Sequence, residues 1–177
     1  MKQLLLLRHA KAVPGDAKTD DHDRALNARG QHDAPLLGAE MHHRLYVPDL
    51  TLCSTARRTV ETWARIAPEF DAPPRVEFLD ALYLASPKAI LKLAQLTDDG
   101  VNTLLVLGHN PGLEDCAAAL ARNPETQSES SLLEQLRDKF PTCALSVLDF
   151  EVAHWRDVEP GTGALTDFIR PKDMRDG

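Results

Sequence analysis

Short apolar runs alternate along the chain with longer helical patterns. The clearest run is Leu4-Leu5-Leu6-Leu7, which is typical of a strand buried on both faces. Strands are expected at residues 3–7, 49–53, 75–79, 102–107 and 144–151. Because helical patterns separate these strands, the sequence predicts an α/β fold with a mostly parallel central sheet flanked by helices.

Four helices are expected between these strands, each beginning at a residue type that caps helices. They run from 28 to about 45 after the Asn27 cap, from the Ser54 cap to about 66, from Pro87 after the Ser86 cap to about 96, and from Pro111 after the Asn110 cap to about 121. Pro35 is expected to kink or restart the first helix. Residues 122–131 are polar and are expected to be irregular, with a short helical stretch following to about residue 140.

The segment from Pro160 onward is rich in turn residues but also contains Leu165, Phe168 and Ile169. We therefore expect this tail to pack back onto the rest of the chain. Neither an internal repeat nor a linker is visible in the sequence. Residues 1–177 are interpreted as a single domain.

The composition narrows the classes of partner and compartment. The 177 residues carry a net charge of −7, which argues against nucleic acid or an anionic membrane as the main partner. Cys53, Cys116 and Cys143 lack metal-ligand spacing and suit buried thiols in a reducing compartment. The leucine run is too short for a signal peptide and no stretch could span a membrane, so a cytoplasmic protein is expected.

Charged side chains appear where two of the predicted strands end. Arg8 and His9 follow the leucine run, and Gly108 and His109 follow the strand at residues 102–107. Ligands of open α/β sheets bind outside the carboxyl ends of the strands. Both histidines are therefore expected at one sheet edge, where a cation beside an imidazole nucleophile would suit phosphoryl transfer.

A third strand end supplies a further cation. The strand at residues 49–53 leads to the expected helix start at Ser54, and Arg57, Arg58 and Thr62 follow within two turns. A helix N-terminus beside a guanidinium group forms an anion site. The spacing leaves Arg57 as a competitor of Arg58, which shares one helical face with Thr62.

Taken in order, these motifs resemble those of the histidine phosphatase superfamily, which has the three-layer phosphoglycerate mutase-like fold. RHAKA at 8–12 resembles its RHG motif, with Ala10 in place of Gly. STARRTVET at 54–62 resembles its S-x-x-x-R-x-x-x-T segment, which selects Arg58, and GHNP at 108–111 resembles its second His motif. RALNARG at 24–30 is similar to another superfamily segment, and residues 80–87 and 168–173 resemble the small SixA-like phosphohistidine phosphatases.

The resemblance implies a role for each residue of these motifs. His9 would be the nucleophile and would form a transient phosphohistidine. Arg8, Arg58 and His109 would hold the phosphoryl oxygens and stabilise the transition state. No metal ion or other cofactor is implied, because side chains supply the positive charge. The expected activity is removal of phosphate from phosphohistidine in a protein.

Three further residues are candidates at the same site. Ser54 and Asn110 adjoin the motif residues and are expected to help bind the substrate. Ester phosphatases and mutases of this superfamily carry an acidic residue that protonates the leaving alkoxide, typically in an insertion after the Arg helix. The short interval between Arg58 and His109 leaves little room for one. Asp80, at the end of the third strand, is the nearest candidate acid, and a loop or capping carboxylate is its structural alternative.

The sequence is compatible with several functions. A short site without a lid suits a phosphate presented on a protein surface, so a phosphohistidine protein is the first hypothesis. The alternative is a phosphatase of a small phosphate ester, such as a sugar or nucleotide derivative, with Asp80 as proton donor. A phosphate-binding module without activity is disfavoured because none of the four motif residues is missing. Activity in excess chelator would eliminate a metal-dependent hydrolase, and a mutase would need a capping insertion that is not visible.

Residues 14–23 are polar and are expected to form a loop over the site. The acidic run at 20–23 is interpreted as a solvated part of this loop that repels other anions, rather than as a divalent-cation site. The remaining histidines lack the spacing of metal ligands on a helix. Tyr83 is expected to line the mouth of the site.

Overall fold

The computed structural model describes residues 1–175, and within them a six-stranded sheet carries helices on both faces. The strands are β1 (Lys2–Arg8), β2 (Leu50–Ser54), β3 (Arg75–Leu79), β4 (Thr103–Gly108), β5 (Leu145–Phe150) and β6 (Ala164–Ile169). The helices are α1 (Ala28–His43), α2 (Arg57–Ile66), α3 (Pro87–Gln95), α4 (Gly112–Leu120), α5 (Gln127–Asp138) and α6 (Pro171–Arg175). Each strand predicted from the sequence is present.

The strand order is β3-β2-β4-β1-β5-β6. The first four strands are parallel, and β5 and β6 are antiparallel to their neighbours. The expected α/β fold with a mostly parallel sheet is therefore confirmed. The tail packs back as expected, but it does so by adding β6 to the sheet, which the sequence patterns did not predict. This strand lies at the edge, where polar Thr166 and Asp167 interrupt the apolar run.

Successive residues of β1 point to opposite faces of the sheet and separate two cores. Leu4 to Leu7 have no exposed surface, as the sequence predicts. Leu4 and Leu6 pack in the core that contains residues of α3, α4 and α5, and Leu5 and Leu7 pack in the core beneath α1 and α2. The alternation of side chains along a strand thus produces the three-layer arrangement. No helix within residues 1–175 is long and apolar enough to cross a membrane.

Side-chain caps account for the starts of α1, α3 and α5. The side chain of Asn27 accepts a hydrogen bond from the Gly30 N–H at 2.9 Å, and that of Ser86 accepts one from the Ala89 N–H at 3.1 Å. Pro35 lies inside α1, which continues through it. The helix before residue 140 begins earlier than expected, at Gln127, because the Thr126 side chain caps it within the segment expected to be irregular.

Ser54 and Asn110, the residues expected to cap α2 and α4, do not lie at the N-cap positions of these helices. β2 continues through Ser54, and α2 begins only at Arg57 with Ala56 at the N-cap. Asn110 lies one residue before the N-cap position of α4, which Pro111 occupies. The Ser54 hydroxyl is hydrogen-bonded to His109 instead of capping α2. Asn110 donates to the Phe140 carbonyl through Nδ2, and its Oδ1 still accepts from the Glu114 N–H in the first turn of α4 at 3.2 Å.

Candidate active site

β1 and β4 are neighbouring strands whose last residues lie opposite each other. Arg8 pairs with Gly108 in the parallel register, so His9 and His109 leave the sheet side by side. The backbone N–H of His9 donates to the Gly108 carbonyl at 3.1 Å, and the two imidazole ring centroids are 5.4 Å apart. The structure therefore brings the two predicted histidines together at one sheet edge.

The imidazole of His9 is oriented by the backbone beside it. Its Nδ1 lies 2.7 Å from the Ala10 carbonyl oxygen. A carbonyl oxygen can only accept, so Nδ1 carries the hydrogen and the lone pair of the neutral ring is on Nε2. Burial lowers the pKa of His9 to about 3, and the nearby charges of His109, Arg58 and Arg8 act in the same direction. The ring is therefore neutral at physiological pH, with an unprotonated nitrogen able to attack.

His109 is buried against the end of β2. Its Nε2 is hydrogen-bonded to the Ser54 hydroxyl at 2.8 Å. Burial lowers the pKa of His109 to about 4, with Arg58 adding to the effect. The ring of Tyr83 meets it edge-on, with centroids 5.4 Å apart. Ser54 thus holds His109 in place, which explains why it does not cap α2.

Arg8 and Asn110 are held by a common acceptor. Nη1 of Arg8 donates to the Phe140 carbonyl at 3.0 Å, and Nδ2 of Asn110 donates to the same oxygen at 3.0 Å. Nδ2 of Asn110 also donates to the Glu114 carboxylate at 3.1 Å. Burial lowers the pKa of the Arg8 guanidinium, although it remains charged at neutral pH. The segment before β5 therefore positions two of the predicted substrate-binding residues.

Arg58, rather than Arg57, faces the site. Arg57 is exposed and its Nε donates to the Glu61 carboxylate of the same helix at 2.7 Å. Arg58 is buried, with Nη1 donating to the Asp21 carbonyl at 2.6 Å and Nη2 to the Asp21 carboxylate at 3.0 Å. Asp21 belongs to the acidic run and its side chain is about half exposed, as expected of a solvated loop, but its carboxylate also pairs with Arg58.

Asp21 connects the loop at residues 14–23 to the mouth of the site. Its carboxylate accepts hydrogen bonds from the Tyr83 hydroxyl at 2.5 Å and from Arg24 at 2.8 Å, besides that from Arg58. These three donors, Tyr83 first, hold the pKa of Asp21 well below its usual range. The carboxylate is therefore ionised. Sequence reasoning missed the role of this residue, although the DHD sequence at 21–23, directly before the RALNARG segment at 24–30, is a signal that could have indicated it.

Helices α1 and α2 fix the backbone that follows β1. The N–H of Ala10 donates to Oγ1 of Thr62 at 3.0 Å, and that hydroxyl donates to the Arg58 carbonyl at 2.6 Å. On the other side, Gly30 of α1 approaches so closely that an added Cβ would lie 2.1 Å from the Lys11 carbonyl oxygen. The residues after His9 are thus clamped between two helices, which restricts the direction of its ring.

A pocket of about 370 Å³ opens over these residues. Its lining within the described chain is Arg8, His9, Lys11, Ala12, Asp21, Arg24, Arg58, Leu84, His109, Asn110 and Thr142. Asp80 is not part of this lining: it is exposed, and its carboxylate accepts a hydrogen bond from the Thr55 hydroxyl at 2.6 Å. Ser54 lies behind His109 rather than in the lining, while Tyr83 lies at the mouth through its contacts with Asp21 and His109.

Several polar nitrogens at the site have no partner. Nε of Arg8, Nε of Arg58 and Nδ1 of His109 are buried without a hydrogen bond within residues 1–175. Unpaired buried polar groups are uncommon in folded proteins, and a phosphoryl group bound here would offer acceptors to the two guanidinium nitrogens. Two guanidinium groups and two imidazoles around a small cavity can bind a phosphoryl group and attack it. Among the described residues, no three His, Cys, Asp or Glu side chains form a metal-binding group.

Comparisons with known proteins agree with this arrangement. Residues 4–82 match the family model of the histidine phosphatase superfamily, branch 1. An uncharacterized protein of Mycobacterium tuberculosis is 39% identical over 166 residues, covering 94% of this chain and 100% of that protein. The crystal structure of a candidate phosphohistidine phosphatase SixA from Agrobacterium tumefaciens is 31% identical with a TM-score of 0.77, covering 96% of this chain and 98% of that chain. A SixA candidate from Nakamurella multipartitia is 28% identical with a TM-score of 0.81, covering 96% of each chain.

Proposed function

The chain belongs to the histidine phosphatase superfamily and is a phosphatase; from this premise we propose that it removes the phosphoryl group from phosphohistidine in proteins. His9 is the nucleophile and no metal ion takes part. The neutral ring, with its hydrogen on Nδ1 and its free lone pair on Nε2, supports this assignment. The SixA-like relatives support the choice of phosphohistidine, since their descriptions name that activity.

In the first step, Nε2 of His9 attacks phosphorus. The new N–P bond forms as the N–P bond to the substrate histidine breaks, and the substrate imidazole leaves with the bonding electron pair and takes up a proton. Arg8, Arg58 and His109 bind the phosphoryl oxygens, where the charges of the two guanidinium groups and the hydrogen-bond donors of all three residues act on the developing negative charge. Asn110, held beside Arg8, contributes a further polar contact.

In the second step, water attacks the phosphorylated His9. A P–O bond forms, the N–P bond breaks, the attacking water loses a proton to solvent, and inorganic phosphate leaves with the oxygen of the water. Nε2 recovers its lone pair. Its low pKa favours this release, because the free nitrogen then persists as the neutral base at physiological pH.

One observation carries the choice of substrate. The one carboxylate in the described pocket lining is Asp21, and its hydrogen bonds to Tyr83, Arg24 and Arg58 keep it ionised. It therefore cannot donate a proton to a leaving alkoxide at neutral pH. The imidazole of phosphohistidine, once protonated by solvent, is a better leaving group than an alkoxide, so phosphoryl transfer from it depends less on an acid in the pocket. This difference favours phosphohistidine over a small phosphate ester.

The test measures phosphate release from a phosphocarrier protein phosphorylated on a surface histidine. The wild type is expected to release phosphate in excess chelator, and His9→Ala should be slower by about a thousandfold or more, because the nucleophile is absent. His43→Ala, which removes an exposed histidine outside the pocket, is the matched control and should retain wild-type activity. Glucose 6-phosphate, which has an alkoxide leaving group, should be a poor substrate.

Two outcomes would contradict the proposal. Retention of activity in His9→Ala would exclude the histidine mechanism. Faster hydrolysis of glucose 6-phosphate than of the phosphocarrier protein would assign the enzyme to small esters. In that case Asp80→Asn would be the next variant, since Asp80 is the candidate proton donor for an ester.

A further inference from the structure

A second cavity of about 380 Å³ adjoins the candidate active site and shares Arg8, Lys11 and Thr142 with it. We call this second cavity the basic groove. Its lining includes one carboxylate, Asp138, and six cations, which are Arg8, Lys11, Arg29, Lys139, Arg170 and Lys172. This local excess of positive charge contrasts with the net charge of −7 of the chain. Such a local field attracts anionic partners even when the whole protein is acidic.

The tertiary fold assembles the basic groove from separate segments. Lys11 follows β1, Arg29 lies in the first turn of α1, and Lys139 follows α5. Arg170 and Lys172 lie at the junction of β6 and α6. The cations therefore meet only when the carboxyl-terminal strand and helix pack beside the site, and no basic run in the sequence indicates them.

Two of these cations are already paired within the chain. Arg170 donates to Asp173 through Nε at 2.9 Å and through Nη2 at 3.0 Å. Nε of Arg29 lies 3.7 Å from the Asp33 carboxylate. In contrast, the side chains of Lys11 and Lys139 form no ion pair or hydrogen bond within the described part of the chain. Ammonium groups that share a groove repel each other, and a bound anion would relieve that repulsion.

The type of cation indicates the type of anion. Phosphate is typically clamped by bidentate guanidinium groups or backbone N–H groups. Of the guanidinium groups in the groove, that of Arg170 is occupied by Asp173, that of Arg8 donates to the Phe140 carbonyl, and Nε of Arg29 faces Asp33. The unpaired cations of the groove include the exposed lysines Lys11 and Lys139, which act as point charges on flexible stems. They suit several carboxylates spread along a segment better than one compact phosphate group.

Building on the proposed function, we propose that the basic groove binds an acidic segment of the protein substrate beside its phosphohistidine. Arg8 and Lys11 line both cavities, which therefore adjoin each other. A polypeptide can therefore place its phosphohistidine in the active site and its neighbouring Asp and Glu side chains in the groove. The enzyme would then select phosphohistidines by the charge of the surrounding sequence.

The experiment compares two peptides phosphorylated on histidine by phosphoramidate, one with Asp and Glu and the other with Asn and Gln at the flanking positions. Phosphoimidazole, which has no flanking sequence, is the reference substrate. We expect kcat/KM to be about tenfold higher for the acidic peptide than for the neutral one, and higher salt should reduce the difference because exposed charges are screened. The double variant Lys139→Gln/Lys172→Gln should reduce the preference to about twofold or less, with kcat/KM expressed relative to that of phosphoimidazole.

The matched control is Lys88→Gln/Lys92→Gln, which removes the same charge from α3, outside both cavities. This control should keep the preference for the acidic peptide. Equal kcat/KM for the two peptides in the wild type, or an equal effect of both double variants, would overturn the groove proposal while leaving the proposed function intact. Inhibition by pyrophosphate that is lost in Lys139→Gln/Lys172→Gln, without any peptide preference, would overturn it in favour of a small polyphosphate ligand. No hydrolysis of phosphoimidazole or of either peptide would count against the proposed function itself.

Discussion

At the scale of single residues, the charges around the proposed nucleophile oppose one another. Arg8 and Arg58 attract a phosphoryl group, but the ionised Asp21 carboxylate accepts a hydrogen bond from Nη2 of Arg58 at 3.0 Å. A substrate phosphoryl group that binds Arg58 must compete with this carboxylate or share the guanidinium with it. The Asp21 side chain is about half exposed, at 47%, so water screens part of the repulsion.

Asp21→Asn should therefore tighten the binding of inorganic phosphate. The amide retains the size of the side chain but removes the negative charge, and the backbone carbonyl at this position still accepts from Arg58. We expect the inhibition constant for phosphate to fall by about twofold to fivefold, which corresponds to the weak coupling of a solvent-exposed charge. Competitive inhibition assays would measure it.

Asp23→Asn is the control for this prediction. Asp23 belongs to the same acidic turn, but its carboxylate lies 3.7 Å from His22 and does not line the pocket. This variant should leave the inhibition constant nearly unchanged. A rise in the constant for Asp21→Asn would show instead that the carboxylate holds Arg58 in the geometry that phosphate requires.

At the scale of secondary-structure elements, α2 acts on the site through its second turn as well as its first. The Thr62 hydroxyl accepts from the Ala10 N–H and donates to the Arg58 carbonyl. This hydroxyl therefore connects the helix that carries Arg58 to the residue directly after His9. The physical reason for a Thr at the end of the S-x-x-x-R-x-x-x-T segment is this bridge between helix and strand end.

Thr62→Val should destabilise the fold and slow the reaction together. Valine keeps the shape but leaves the buried N–H of Ala10 without an acceptor, which costs about 1–3 kcal/mol of the free energy of unfolding. We expect kcat to fall by about tenfold as the His9 backbone loosens, and Thr62→Ser to restore both properties. Urea unfolding and steady-state kinetics would measure them.

Thr51→Val is the matched control, because the buried Thr51 hydroxyl has no hydrogen-bond partner within residues 1–175. Its replacement should be neutral or slightly stabilising, since no partner is lost. If Thr62→Val were equally harmless, the hydroxyl bridge would contribute nothing to the site. If Thr62→Ser failed to restore kcat, the methyl group of Thr62 would be the important part.

At the scale of the whole molecule, the proposed active site makes folding depend on pH. The pKa values of His9 and His109 are about 3 and about 4 in the folded protein, chiefly through burial, and return to about 6.5 when the chain unfolds. Between the pKa values of the folded protein and that of the unfolded chain, the two histidines bind protons in the unfolded chain but not in the folded one. The free energy of unfolding therefore falls as the pH falls below about 6.5.

His9→Asn should make the free energy of unfolding less sensitive to pH. Each such proton contributes a slope that approaches about 1.4 kcal/mol per pH unit well below pH 6.5. We therefore expect the slope between pH 6 and pH 5, measured by urea unfolding, to be smaller in His9→Asn by up to that amount. His43→Asn, at an exposed position, should leave the slope close to that of wild type. An unchanged slope in His9→Asn would show that His9 titrates normally in the folded protein.

The sequence by itself determined the local pattern and the identity of the motif residues. The leucine run of β1 predicts a strand buried on both faces because it has no polar side chain to place in water. His9 and His109 can be predicted because each follows a strand end and parallel strands end at one edge. Order along the chain and local periodicity are sufficient for these conclusions, whereas the choice of Arg58 over Arg57 rests on the resemblance to the S-x-x-x-R-x-x-x-T segment.

Only the tertiary structure decided which further groups meet at that edge. Asp21 appears in the sequence as one of several loop carboxylates, and packing of the loop against α2 selects it as the partner of Arg58. Ser54 is locally a helix cap, but a buried histidine takes its hydroxyl. Strand β6 forms by pairing with β5, and this pairing also places the cations beside the site. The two strands are separated along the chain, so the local pattern of apolar residues does not predict that they pair. Contacts between distant segments, which satisfy buried polar groups and place charges together, are what a local pattern cannot encode.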